Sequence, residues 1–174
     1  VELDDLVTVL MPTSSIPSHP STAVIEETVE SVRAQLPDAE ILVLVDGLRP
    51  ELADRANRYD EYVRRLLWLA AHRWRNVVPI IHDEHLHQGL MTRRALDQVR
   101  TGTVLFVEHD PPILGDIPWS NLVHAVLVGD ANVVRLHHEA SVLNPHRHLM
   151  LDAVPQIVSD VPMLRTAQWS QRPH

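Results

Sequence analysis

The sequence predicts an α/β fold, a three-layer sandwich around a mostly parallel central sheet, and three observations predict it. Short apolar runs rich in β-branched residues alternate with amphipathic stretches of helical period. Each apolar run stops at a proline or a polar loop. The helical stretches are long enough to serve as crossovers between parallel strands.

Leu6 to Met11 alternates, is rich in β-branched residues and stops at Pro12, which predicts a first strand followed by a polar loop from Thr13 to Ser21. Ser21 is a helix N-cap candidate. Ile25, Val29, Val32 and Leu36 recur at helical steps and predict a helix from about Thr22 to Leu36, ended by Pro37. Ile41 to Val45 reads as a second buried strand, ended by Asp46 and Gly47. Pro50 suits a first helical turn, and Leu52, Ala56, Tyr59, Val63, Leu66 and Ala70 carry the longest helix to about Arg73. Val77 to Ile81 reads as a third strand, whose Pro79 belongs at an edge or bulge.

After the polar segment HDEHLHQ, Met91, Ala95 and Val99 mark a short helix, and Val104 to Val107 reads as a fourth strand buried on both faces. Pro118 and Ser120 open a helix to about Leu127. Asn132 to Leu136 reads as a fifth strand and Ile157 to Val161 as a late one before Pro162. The terminal TAQWSQRPH has no reliable period.

A chain of 174 residues suits one sizeable core, so a single domain over residues 1–174 is expected. The formal charge of −8 argues against DNA or RNA as the main partner. No cysteine is present, which removes disulfides and thiolate metal sites and fits a reducing, cytoplasmic setting. No apolar run reaches the roughly 18 residues of a membrane span, and the start VELDDLV lacks the features of a secretory signal. Without an initiating Met, the chain reads as processed or truncated.

The most informative stretch is TVLFVEHDPP, residues 103–112. In an extended chain Glu108 and Asp110 project one way and His109 the other, so two oxygen donors face one point. That pair suits a hard divalent cation and, through it, the phosphates of a nucleotide. Residues 12–15, 46–47, 82–89 and 108–110 each follow a predicted strand, so all four clusters are expected on one sheet edge, where α/β folds bind ligands. His82, His85 and His87 offer a second chemistry, a transition-metal site or, with Asp110, a metal-dependent hydrolase.

In this order and spacing the motifs resemble a family 2-type glycosyltransferase with the GT-A fold, over about residues 6 to 136. The resemblance rests on Pro12, Thr13 and Ser14 after the first strand and Asp46 in LVLVDG. It rests further on Gly89 and Arg94 in QGLMTRRAL, and on Glu108, His109 and Asp110 where the family has Asp-x-Asp. It implies a nucleoside-diphosphate sugar donor, with UDP favoured, Mn²⁺ or Mg²⁺ as cofactor, and inverting transfer to a hydroxyl of a glycan or small molecule.

The same resemblance implies the residue roles. Thr13 meets the base or ribose, Asp46 accepts a hydrogen bond from uracil, and Arg94 and Gln88 lie near the nucleotide. Asp110 ligates the metal, and the longer Glu108 reaches the metal, a metal-bound water or the ribose. His174 completes the metal shell, although truncation at the carboxyl end remains an expectation. Glu139 is the first candidate for the catalytic base and Asp152 the second. A noncatalytic nucleotide-binding module is the other class open at this point.

Overall fold

A computed structural model describes residues 2–136 and 147–166. The chain divides into two compact units, Val1–Ile117 and Pro118–His174.

The first unit is α/β. Strands β1 (Val7–Thr13), β2 (Glu40–Val45), β3 (Val77–Ile81) and β4 (Thr103–Phe106) alternate with helices α1 (Ala23–Arg33), α2 (Ala56–His72) and α3 (His87–Ala95). The four strands form one all-parallel sheet in the order β3-β2-β1-β4, flanked by helices. Strand parity sorts the two faces. Leu10, Leu42 and Leu44 form a buried cluster with Leu86, Met91 and Ala95 of the α3 segment. Val9, Met11, Ile41, Val43 and Val45, the alternate residues, are also buried. Thr13, on that alternate face, hydrogen-bonds Tyr62 of α2.

Pro79 sits on an edge strand, where a missing N–H costs least. Pro12 required a different solution. β1 runs through Pro12 and Thr13, two residues further than expected. Pro12 has the parity of Leu10, whose carbonyl accepts from Val107 N on the β4 side. β4 pairs only as far as Phe106, so Pro12 lies past the end of that ladder and its missing N–H interrupts no pairing between the two strands.

Three expectations need correction. The fourth strand is not buried on both faces: Val104 is 40% and Phe106 38% exposed, because β4 is an edge strand paired with β1 alone. Asn132–Leu136 forms no strand; it follows the left-handed Gly129 (φ 84°), pairs with no strand among the described residues, and leaves Val133 85% exposed. Ile157–Val161 is not one strand but parts of two. β5 (Gln156–Val158) and β6 (Val161–Met163) pair antiparallel across Ser159 and Asp160, whose positive φ values of 47° and 64° make the tight two-residue turn. The long second helix also begins differently, as a 3₁₀ segment over Pro50–Arg55 with a kink at Leu52.

In the second unit, α4 (Trp119–Leu127) holds the hairpin turn through Asn121 Nδ2, which donates to Ser159 O at 2.8 Å. Among the described residues no helix is long and apolar enough to cross a membrane.

Candidate functional site

In the order β3-β2-β1-β4 the chain first builds outward from β1 in one direction and then places β4 on its other side. The strand order therefore reverses between β1 and β4, and the crevice beyond their carboxyl ends is where such sheets hold ligands. Ser14 and Ser15 follow β1, which ends at Thr13, and Glu108–Asp110 follow β4.

Burial alternates along that second loop, although β4 has ended at Phe106 and the backbone bends at His109 and Asp110. Val107 and His109 are buried, Glu108 is half-buried and Asp110 is exposed. Gln88 in the first turn of α3 donates from Nε2 to Glu108 Oε1 at 2.6 Å, so two residues singled out for the nucleotide site are joined. His109 turns inward. Its ring hydrogen-bonds the Pro12 backbone, and its own carbonyl accepts from Thr28 Oγ1 at 2.8 Å. The loop carrying Asp110 is thus anchored to β1 and α1 while its carboxylates stay outside.

Thr13 is buried, and its hydroxyl shares a 2.8 Å hydrogen bond with Tyr62 Oη. His19 stacks on Tyr62 at a centroid distance of 3.7 Å and on Tyr59 at 5.6 Å. Burial lowers the His19 pKa to about 4, with the neighbouring His109 and Arg58 acting in the same direction. Burial also lowers the His109 pKa, against the carboxylates of Asp110 and Glu108. Burial raises both tyrosines, so the cluster is neutral at pH 7. Ser14 is half-buried beside it, and Arg94 is exposed on α3.

Asp46 is engaged within the fold. Its carboxylate is 2% exposed; Oδ1 accepts from Leu86 N at 2.7 Å and Oδ2 accepts from His87 N at 3.2 Å, while His85 Nδ1 lies 2.8 Å from Oδ2 and hydrogen-bonds Gly47 O at 3.2 Å. A strand-end carboxylate thereby caps α3, satisfying amides that a helix start leaves open. A base-reading role for Asp46 would have to share these oxygens. Asp46→Asn is expected to cost about 1–2 kcal/mol, because the new amide nitrogen must face either Leu86 N–H or His87 N–H and leaves that donor without its acceptor. Chemical denaturation checks this, with an unchanged midpoint as the contrary result.

Next to this cap lies an open groove of about 400 Å³ lined by Arg49, Pro50, Glu51, Leu52, His85 and His87. Sequence reading missed Arg49, Tyr59, Tyr62 and His19, which periodicity marks only as a loop cation, helix-face aromatics and a loop histidine.

In the second unit, Asp152 is held by Arg165 through the guanidinium and the backbone N–H, at 2.7 to 3.1 Å. Those bonds keep its carboxyl below the usual range, which makes it a weak proton acceptor. Glu139 and His174 lie outside the described residues, as do His137, His138 and His146. The chain matches no protein-family model and no curated protein.

Proposed function

We propose that this chain is a metal-dependent glycosyltransferase domain of the GT-A type, taking a nucleoside-diphosphate sugar, with UDP favoured, and transferring the sugar with inversion to an acceptor hydroxyl. The observation that carries the reading is Glu108, held by Gln88, two residues before the exposed Asp110 at the reversal point of a parallel sheet. A parallel sheet ending in oxygen donors at that point is a common setting for phosphate-bearing ligands.

The donor set fits Mg²⁺ or Mn²⁺. Among the described residues no three His, Asp or Glu side chains converge on one point. Ions of this kind nevertheless need only one or two carboxylates when phosphates and water supply the remaining oxygens. Glu108 and Asp110 would hold the ion, which when bound offsets the negative charge growing on the departing diphosphate.

The chain's own residues have separate tasks. Gln88 fixes the Glu108 carboxylate, and His109 fixes the loop. The half-buried Ser14, beyond the Thr13–Tyr62 bond, borders the nucleotide, and Arg94 approaches its phosphates from α3. The acceptor proton goes to a carboxylate. Glu139 is the first candidate, since Asp152 is acidified by Arg165.

The test is thermal stabilisation by UDP with and without Mn²⁺, in the wild-type chain and in Asp110→Asn. UDP at 100 times its dissociation constant should stabilise the wild type by about 2.7 kcal/mol when Mn²⁺ is present. Asp110 is exposed, so the variant should fold normally and lose the metal-dependent part. Equal Mn²⁺-dependent UDP affinity in the two proteins would defeat the assignment.

A further inference from the structure

The groove beside α3 contains a pair of imidazoles that the transferase reading leaves unused. His85 Nε2 and His87 Nδ1 are 3.2 Å apart, and their rings cross at 66°. Two nitrogens each 2.0–2.1 Å from one tetrahedral ion lie roughly 3.3 Å apart, so the observed spacing is close to that of two ligands of one metal. The other nitrogen of His85 faces the buried carboxylate of Asp46 at 2.8 Å. A carboxylate behind a ligating histidine fixes its tautomer and raises its basicity.

Further features set this pair apart from two adjacent surface histidines. With Nδ1–H donating to Gly47 O at 3.2 Å beside the Asp46 carboxylate, His85 Nε2 presents a single lone pair, and two donors compete for it: Arg49 Nε at 3.0 Å and His87 Nδ1 at 3.2 Å. A cation centre therefore already occupies the approach to that lone pair. His87 also holds a left-handed backbone conformation, φ 59°, which a non-glycine residue adopts at a cost, and its N–H is tied to Asp46. That backbone brings the His87 ring to His85. Glu51, Leu52 and Pro50 leave the rest of the site open to solvent.

We propose that His85 and His87 form an open-sided site for a borderline divalent transition metal, Zn²⁺, Ni²⁺ or Cu²⁺, with Asp46 as its supporting carboxylate and Arg49 as the group that the metal displaces. Imidazole donors select these ions over Mg²⁺ and Mn²⁺, so the site is chemically separate from Glu108 and Asp110. On binding, the His87 proton moves from Nδ1 to Nε2 through solvent, His87 turns its freed lone pair to the ion, and Arg49 swings into the groove. No net proton is released. Water or an anionic ligand fills the remaining positions.

Calorimetric titration of the full chain with Zn²⁺ tests the site. One saturable equivalent is expected in the wild type and in His82→Ala and Asp110→Asn, and its loss is expected in His87→Ala. His87 is exposed, so that variant should keep its fold. Asp46→Asn should bind about 10–100-fold more weakly, and Arg49→Ala should bind more tightly. With Cu²⁺, electron paramagnetic resonance should show coupling to imidazole nitrogen that His87→Ala reduces. Absence of a saturable equivalent in the wild type, an unchanged one in His87→Ala, or weaker binding in Arg49→Ala would each overturn the proposal. Asp110→Asn separates this result from the nucleotide test, because it should abolish one response and spare the other.

Discussion

Acidification from pH 7 to pH 4.5 is expected to destabilise the fold by about 2–3 kcal/mol through His19 alone. Its pKa falls from the ordinary 6.5 to about 4 in the folded chain, chiefly by burial against Tyr59 and Tyr62. A histidine buried neutral binds its proton less readily folded than unfolded. Stability is therefore full above about pH 6.5, falls as the pH drops through the window from 6.5 to 4, and levels off below it. His109 is shifted the same way and adds to the slope.

Urea unfolding of the wild type and His19→Phe across this range separates the two histidines. Phenylalanine keeps the stacking surface but cannot titrate, and it loses the Nδ1 that accepts from Ile16 N. The variant should show a shallower pH dependence, retaining only the part due to His109. Identical slopes would remove His19 as the source.

Gly47→Ala is expected to cost about 3 kcal/mol, at the upper end of ordinary overpacking. A Cβ at Gly47 would lie 2.3 Å from Glu84 C, 2.5 Å from Glu84 O and 2.7 Å from His85 N, all backbone atoms. No rotamer change relieves that clash; one of the two loops must move. Gly47 N also donates to Glu84 O at 3.2 Å, so separating the loops breaks a bond as well. The displaced segment carries His85, and the variant should weaken Zn²⁺ binding as well as lower the denaturation midpoint. An unchanged midpoint would mean that the loops are not held this closely.

The parts of this fold that were legible in the sequence are those governed by local period. Ile25, Val29 and Val32 mark the buried face of α1, and Ile41 to Val45 are buried throughout β2, since a strand between two others under helices needs apolar residues on both faces. Pro79 was legible as an edge residue for a similarly local reason, its missing N–H. The run Val104–Phe106 is as apolar as Ile41–Val45 of β2 yet lies at an edge. Strand order depends on which crossover goes which way, and no property of the run itself carries that information. Asn132–Leu136 has strand-like residues but lacks a partner among the described residues, and pairing is what makes a strand.

At the candidate site the division is similar. The sequence by itself determined that four polar clusters follow four strands of a parallel sheet, because β-α-β alternation forces every strand to end on the same edge. That Glu108 and Asp110 share a side is an expectation from the period-two alternation of an extended chain, whereas the backbone bends at His109 and Asp110. Only the tertiary structure decided how those groups are used. It turned Asp46 into the cap of α3 and the support of His85, joined Thr13 to Tyr62, drew Gln88 to Glu108, and buried His19 among aromatics. Each of these links joins residues 20 to 49 positions apart in the chain. Hydrogen bonding and burial at that range are set by packing, which local periodicity does not encode.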